Sequence, residues 1–107
     1  MIELLTKDDF DKLLANNQDK LIFVKFSAPW CSPCRLLTSI IDEITPIDGV
    51  VFAEVNVDDA EEDFVNEFNV RNIPTVVIYK DGLQVDRFTG MIGKESLENK
   101  IKENLEK

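Results

Sequence analysis

The chain has 107 residues, 44% of them hydrophobic and 31% charged, which favours one compact domain with a single core. Its formal net charge is -9 and no stretch of clustered Lys or Arg is present, so nucleic acid and anionic membranes are unfavourable partners. The absence of histidine and the presence of only two cysteines exclude Ser-His-Asp and Cys-His catalysis, histidine-containing metal sites and a four-thiolate zinc site within one chain.

Two predicted strands and the helix between them occupy the first quarter of the chain. The apolar run Ile2 to Leu5 predicts a short strand. Thr6 followed by Asp9 resembles a capping box, with Asp9 in place of the usual Glu or Gln, and predicts the start of an amphipathic helix. The run Leu21 to Phe26 is almost continuously apolar, which is typical of a strand buried on both faces of a parallel or mixed sheet. Lys25 is its one charged residue. The apolar side of the helix consists of Phe10, Leu13 and Leu14.

The second predicted helix follows the two cysteines and spans Arg35 to Thr45. Its apolar stripe extends backwards to Cys34, so Cys34 should lean towards the core. Cys31 precedes the first turn and should be more exposed. Pro46 should end this helix or kink its last turn. The stripe itself consists of Leu37, Ile41 and Ile44.

The third predicted strand, Val50 to Val57, alternates between two faces. Asp58 or Asp59 is expected to cap the short helix that follows it. One face of the strand carries Val51, Ala53, Val55 and Val57, and the other carries Phe52, Glu54 and Asn56. The apolar side of the short helix is formed by Phe64, Val65 and Phe68.

The last third of the chain predicts a β-hairpin and a final helix. Asp81-Gly82 is a strong two-residue turn signal between the runs Thr75 to Tyr79 and Leu83 to Thr89. Glu95 to Leu105 is amphipathic on Leu97, Ile101 and Leu105. The early alternation of strands and helices favours parallel strands with helices on both faces, and the hairpin adds antiparallel strands at one side.

The segment Trp30 to Cys34 holds both cysteines and the only tryptophan, between a buried strand and a helix. Thiol–disulfide exchange needs an attacking thiolate and a second thiol that resolves the mixed disulfide. Cys31 at a helix N-terminus suits the first role, because unpaired N–H groups and the helix dipole favour an anion there. Cys34 lies one turn later and suits the second, while Pro33 fits the first helical turn and restricts the loop. Trp30 offers a flat apolar surface to an unfolded or extended protein substrate.

Two other readings of the cysteine pair are a pair of buried thiols and half of a metal site shared between chains. The preceding strand, the opening helix and the tryptophan favour redox chemistry over both. The chain shows no basic segment followed by a long apolar run and no apolar run of membrane-spanning length, so we expect neither a signal peptide nor a transmembrane helix. Two close cysteines without export indicate a reducing compartment.

Several segments together resemble the thioredoxin family over essentially the whole chain, in order and with matching spacing. They are Trp30-Cys31-Ser32-Pro33-Cys34, Phe26-Ser27-Ala28-Pro29, Val55-Asn56-Val57-Asp58, Ile73-Pro74-Thr75 and the region of Gly90. The resemblance implies an α/β thioredoxin fold, a central mixed five-stranded sheet flanked by four helices, in a single domain over residues 1–107. It also implies that Cys31 is the nucleophile and Cys34 the resolving thiol.

The resemblance further implies a cis Ile73–Pro74 bond that lies against the disulfide. From the sequence alone, Pro74 is equally explained as the proline that begins a strand, since few X-Pro bonds are cis. The backbone of Ile73, with Gly90 and Met91, would form a groove for substrate peptide in extended form. Gly90 is otherwise an ordinary turn glycine. The predicted substrate-binding residues are Trp30, Ser32, Pro33, Ile73, Pro74, Gly90 and Met91.

The chain departs from the family pattern at several positions. The family usually has a buried aspartate on the strand before the motif and a lysine on the next strand, whereas this chain has Lys25 and Glu54. The exchange of signs suggests that the two still face each other, because a pair lowers the cost of a charge in the core. Alternatively, Lys25 extends to water and Glu54 lies on a solvated edge.

Lys25 and Glu54 are therefore candidate catalytic residues for proton transfer at Cys34. Glu54 would receive the proton, or Lys25 would if burial neutralises it, and a charged Lys25 would favour the Cys34 thiolate. Three serines also depart from the pattern. Ser32 replaces a glycine and should shift the redox potential, Ser27 replaces a tryptophan and should make the groove less aromatic, and Ser39 replaces a proline and should leave the helix straighter.

These features predict a protein-disulfide reductase that carries no cofactor of its own. Its expected partners are a flavin- and nicotinamide-dependent thioredoxin reductase and oxidised, disulfide-bearing proteins, and we expect a cytoplasmic monomer. Two alternatives are a disulfide oxidase or isomerase, which usually needs export and often a histidine between the cysteines, and a thioredoxin-like interaction module.

Overall fold

A computed structural model describes residues 1–107 and contains five strands and four helices. In chain order the elements are β1 (Ile2–Glu3), α1 (Lys7–Asn16), β2 (Leu21–Ser27), α2 (Ser32–Ile44), β3 (Val50–Asn56), α3 (Glu62–Asn66), β4 (Thr75–Lys80), β5 (Leu83–Thr89) and α4 (Lys94–Leu105). No helix combines the length and the apolar character that crossing a bilayer would require.

The five strands form one mixed sheet in the order β1-β3-β2-β4-β5. Strands β1 and β2 both run parallel to β3, since a helix returns the chain before each new parallel strand. Strand β4 runs antiparallel to β2, and the hairpin makes β5 antiparallel to β4. This confirms the predicted mixed five-stranded sheet with four helices.

The alternation of side chains along β2 divides the core between the two faces of the sheet. Ile22, Val24 and Phe26 pack on the face covered by α1 and α3, which contribute Phe10, Leu13 and Phe64. Leu21 and Phe23 pack on the opposite face, against Leu37 and Ile41 of α2 and Leu97 and Ile101 of α4. Because both faces are covered, all of β2 is buried, as predicted, and Lys25 is buried with it.

The predicted signals at two helix ends and at the hairpin are present in the structure. Thr6 accepts a hydrogen bond from the Asp9 backbone N–H (3.1 Å), and the Asp9 carboxylate accepts one from the Thr6 N–H (3.2 Å), which completes the capping box. Helix α2 ends at Ile44, and the residue before Pro46 is extended. In the hairpin, Asp81 and Gly82 both have positive φ (53° and 78°), the conformation that a two-residue type I′ turn requires.

The prediction that Asp58 or Asp59 caps α3 is wrong. Helix α3 begins at Glu62 without any side-chain cap, because the chain first makes a turn in which the Ala60 N–H bonds to the Asn56 carbonyl (2.9 Å). Asp59 instead accepts a hydrogen bond from the Asn56 side chain (3.1 Å).

The predicted apolar stripe of α4 is correct at Leu97 and Ile101 but wrong at Leu105, which is 41% exposed. Asn104 is fully buried instead, and its amide donates to the Asp86 carboxylate of β5 (3.2 Å). The helix therefore turns a polar residue, not its last leucine, towards the sheet at its C-terminal end.

Candidate active site

The two cysteines lie where β2 gives way to α2, and they are joined as a disulfide with their Cα atoms 5.2 Å apart. Cys31 is the N-cap of α2, and its sulfur accepts a hydrogen bond from the Cys34 backbone N–H (3.3 Å). A sulfur in this position faces the positive end of the helix, which stabilises negative charge on it.

The two cysteines differ in exposure in the predicted order, but both are buried. Cys31 is 6% exposed and Cys34 is 1% exposed. The pair packs against Ala28, Val57 and Ile73, so only a small edge of Cys31 reaches the surface. The predicted order of exposure is correct, but Cys31 is less exposed than predicted. Helical periodicity carries no information about the neighbouring loops, which cover Cys31.

The bond between Ile73 and Pro74 is cis, as the family resemblance implied. It places the Ile73 carbonyl oxygen 3.9 Å from the Cys31 sulfur, and Pro74 itself is buried. The Pro74 carbonyl accepts a hydrogen bond from the Gly90 N–H (2.7 Å), which ties the chain after β5 to this side of the site. Gly90 has a φ of 91°, a conformation that side-chain-bearing residues rarely adopt, so glycine is required by the backbone geometry at this position.

Several exposed residues lie next to the buried pair, or next to Gly90, along the chain. Trp30 is 68% exposed and Met91 is 44% exposed, and Ser32 and Pro33 are also exposed. The Trp30 indole N–H donates to the Asp58 carboxylate (2.9 Å), which holds the ring in a defined position beside the cysteines. Asp58 or Asp59 was predicted to cap α3, and nothing local indicated that Asp58 contacts a tryptophan 28 residues away.

Lys25 lies beneath the cysteine-bearing helix and is only 1% exposed. Its ammonium Nζ lies 3.6 Å from Glu54 Oε2 and donates a hydrogen bond to the Thr38 hydroxyl (2.6 Å). This confirms that the two charges face each other, and Lys25 does not extend to water. Burial lowers the pKa of Lys25 below its ordinary value of 10.5, while the neighbouring Glu54 carboxylate opposes this shift.

Thr38 connects this ion pair to the active-site helix. Its hydroxyl accepts from Lys25 and donates to the backbone carbonyl of Cys34 (3.1 Å). Neither Lys25 nor Glu54 hydrogen-bonds to the Cys34 sulfur, so the pair reaches Cys34 through Thr38. Thr38 was not predicted from the sequence, although its position four residues after Cys34 puts the two residues on the same face of the helix.

Glu54 is the water-facing end of the network. One carboxylate oxygen accepts a hydrogen bond from the Ser27 hydroxyl (2.9 Å), and the side chain remains 31% exposed. It borders a polar cleft of about 370 Å³ that is also lined by Met1, Glu3, Thr38, Asp42 and Asn56. Ser27 is 2% exposed, so its hydroxyl is enclosed within the sheet. Its side chain points to Glu54 in the sheet.

A disulfide-forming pair at a helix N-terminus, with a cis-proline packed beside it, defines the class of thiol–disulfide oxidoreductases. Comparisons with known proteins agree: the family model described as Thioredoxin matches residues 1–103. The thioredoxin of Mus musculus is 39% identical over 96% of this chain and 98% of its own. That of Mycoplasmoides gallisepticum is 36% identical over 95% of this chain and 100% of its own.

Solved structures give the same result. The Fasciola hepatica thioredoxin has a TM-score of 0.87 at 38% identity and covers 96% of this chain and 98% of its own. A Schistosoma mansoni thioredoxin pre-protein, solved in its reduced form, has a TM-score of 0.83 at 31% identity, covering 95% of both chains. The chain belongs to the thioredoxin family. It is a protein-disulfide reductase that uses a Cys-x-x-Cys pair, and its partners are in general a reductase and disulfide-bearing substrates.

Proposed function

We propose that Cys31 is the attacking thiol of this reductase and Cys34 the resolving thiol. The observation that carries this assignment is the asymmetry of the pair: Cys31 caps α2 and has the exposed edge, whereas Cys34 is enclosed. A protein disulfide approaching from solvent therefore meets Cys31 first, and Cys34 reacts only with a sulfur already attached to Cys31.

The reaction proceeds in two exchanges. The Cys31 thiolate attacks one sulfur of the substrate disulfide, so that a bond forms between the two proteins and the second substrate sulfur leaves as a thiolate. Cys34 then loses its proton and attacks the Cys31 sulfur, which closes the Cys31–Cys34 disulfide and releases the first substrate sulfur. The substrate gains two electrons, and this chain loses the same two.

The surface around the pair supplies the proposed substrate groove. Trp30, which precedes Cys31, and Met91, which follows Gly90, offer exposed apolar side chains, and the Ile73 carbonyl beside Cys31 is available to an N–H of an extended peptide. Pro74 and Gly90 hold that backbone in place through their mutual hydrogen bond. Ser32 and Pro33 form the exposed rim that a bound peptide crosses.

The Lys25–Glu54 pair is proposed to manage the proton of Cys34. A charged Lys25 beneath the helix favours a thiolate at Cys34, and Glu54 connects Lys25 to the polar cleft, where the released proton meets water. Both side chains act through Thr38, so we treat them as positioning residues and not as groups that touch the substrate.

The proposed electron donor is thioredoxin reductase, and the proposed acceptors are proteins that end their own cycle with a disulfide. We propose a monomeric, single-domain protein over residues 1–107 that works in the reducing cytoplasm, where its disulfide is continually reopened. The net charge of -9 supports partners other than nucleic acid or anionic membranes.

A trapping experiment tests the assignment of the two thiols. Cys34→Ser should accumulate a mixed disulfide between Cys31 and an oxidised protein substrate, because the resolving step is removed. Cys31→Ser should give no adduct and no reduction of insulin disulfides. An adduct on Cys34, or undiminished reductase activity in Cys31→Ser, would contradict the assignment, and undiminished cellular function of Cys31→Ser would favour an interaction module.

A further inference from the structure

The guanidinium of Arg35 bridges two points of the loop that carries Cys31. One nitrogen donates to the Pro29 carbonyl (2.7 Å), and another donates to the Ser32 hydroxyl (3.0 Å). Pro29 lies two residues before Cys31 and Ser32 lies one residue after it, so the guanidinium connects the two sides of the Trp30-Cys31 segment. The planar fork of arginine suits this task, since its donors are fixed relative to one another.

We propose that Ser32 and Pro29 position Arg35 as the cation that stabilises the Cys31 thiolate, so that Ser32 acts as a positioning residue through Arg35. The inference rests on the proposed role of Cys31 as the attacking thiol. It also gives a function to Ser32. This residue stands between Cys31 and Pro33, where the family usually has a glycine.

Electrostatics gives the direction of the effect. A disulfide carries no charge, whereas the reduced Cys31 carries one when ionised, so a nearby guanidinium stabilises only the reduced form. Stabilising the reduced form makes the pair a stronger oxidant and increases the fraction of attacking thiolate near neutral pH. Glycine in place of Ser32 has no hydroxyl to accept from Arg35, so the guanidinium keeps only its Pro29 anchor.

Three other charged groups lie near the cysteines, and none of them is a cation bonded to the Cys31 loop. The side chains that pack against the pair, Ala28, Val57 and Ile73, are uncharged. Asp58, in the turn after β3, is engaged by the Trp30 indole, and its negative charge opposes a thiolate. Lys25 and Glu54, on β2 and β3, act on the Cys34 side through Thr38. Arg35 is the cation hydrogen-bonded to the Cys31 loop.

Alkylation of the reduced chain by iodoacetamide between pH 5 and 9 tests the proposal, with the labelled cysteine identified by mass spectrometry. At pH values below the pKa of Cys31, Arg35→Gln should lower the alkylation rate of Cys31 by about two- to fivefold. This is the size expected from the loss of one exposed charge contact. Ser32→Ala should lower it less, and Arg35→Lys should recover part of the loss, since lysine keeps the charge but lacks the fork. Lys20→Gln, at the far end of β2, removes the same charge and should have no effect.

A double variant separates positioning from a general effect on the loop. Once Arg35→Gln is present, adding Ser32→Ala should cause no further change, because the hydroxyl acts through the guanidinium. The redox potential should become more negative in Arg35→Gln and remain unchanged in Lys20→Gln. Additive effects, or an alkylation profile in Arg35→Gln equal to that of Lys20→Gln, would overturn the proposal. Labelling at Cys34 in place of Cys31 would instead overturn the assignment of the two thiols.

Discussion

At the scale of single residues, Lys25 is the unusual feature of this chain. It is a lysine with 1% exposure, held between a carboxylate and a threonine hydroxyl. Between its lowered folded-state pKa and the ordinary value of 10.5, the unfolded chain binds more protons than the folded chain. Stability therefore rises with pH across that window, and below it the folded chain bears the full cost of a buried charge.

Replacing Lys25 should lower the reductase activity without lowering the unfolding temperature. Lys25→Met removes the buried charge and leaves Glu54 partly in water and bonded to Ser27, so thermal unfolding at pH 7 should occur at the same or a higher temperature. Insulin reduction at pH 7 should fall by roughly tenfold, less than the loss of a direct general base would cause, because Lys25 acts through Thr38. A clear drop in unfolding temperature would mean that Lys25 is a structural requirement.

Glu54→Gln gives the complementary pH dependence. Glutamine can still accept the hydrogen bond from the Ser27 hydroxyl, but it has no negative charge to stabilise the ammonium of Lys25. The pKa of Lys25 should therefore fall further. The pH profile of insulin reduction should then shift to lower pH. If Glu54→Gln and Lys25→Met both reproduce the wild-type profile from pH 6 to 9, the pair has no part in proton handling.

At the scale of secondary-structure elements, the helices differ in how they begin. Helix α1 begins with a hydroxyl and a carboxylate that bond each other's backbone N–H groups, and the Leu5 N–H adds a third bond to Asp9 (2.9 Å). These bonds, led by the one from Leu5, lower the pKa of Asp9. Helix α2 begins instead with the Cys31 sulfur, a weak acceptor that also forms the disulfide with Cys34. The first residue of α2 therefore holds the reactive sulfur, whereas the first residues of α1 stabilise their helix by hydrogen bonds.

The capping box of α1 gives a prediction with a matched control. Thr6→Ala removes the acceptor of the Asp9 N–H and should lower the free energy of unfolding by about 1 kcal/mol. Thr6→Ser keeps the hydroxyl and should stay close to wild type. Urea unfolding of the three proteins measures the difference, and equal loss in the alanine and serine variants would attribute it to the threonine methyl group and not to the cap.

At the scale of the whole molecule, a sheet covered on both faces carries a net charge of -9. Self-repulsion at this charge opposes the compact state. The ion pairs that would offset it are mostly exposed, as in Lys12 with Asp8 and Lys94 with Glu43, and such pairs contribute little. Repulsion should therefore dominate the response of stability to salt.

Added salt should raise the thermal stability of the folded chain. Between 10 and 200 mM ionic strength at pH 7, screening should increase the unfolding temperature by about a few degrees. Sodium chloride and potassium chloride at equal ionic strength should give the same increase, since screening depends on ionic strength alone. A decrease in unfolding temperature would show that the ion pairs outweigh the repulsion.

The site was predictable where it depends on local pattern. The position of Cys31 before a helix follows from the strand and helix periodicities on either side of it. The pairing of Lys25 with Glu54 was inferred from the exchange of signs relative to the family pattern, with an exposed Lys25 as the alternative. The cis bond before Pro74 came only from family resemblance, because nothing local distinguishes it from a proline that begins a strand. The capping role of Asp58 was wrong, and the contact of Ser27 with Glu54 was not predicted, because the partners of these two residues lie 28 and 27 residues away along the chain.

Local sequence patterns were enough to predict the order of strands and helices, the burial of β2 on both faces, the Asp81-Gly82 turn and the unequal exposure of the two cysteines. These depend on side-chain periodicity and on backbone preferences that act within a few residues. Three further features could be seen only in the folded chain: Thr38 lies between Lys25 and Cys34, Asn104 and not Leu105 turns inwards, and Arg35 spans the cysteine loop. The first two depend on strand register and on the rotation of each helix over the sheet, and the third depends on the side-chain conformation at the junction of β2 and α2.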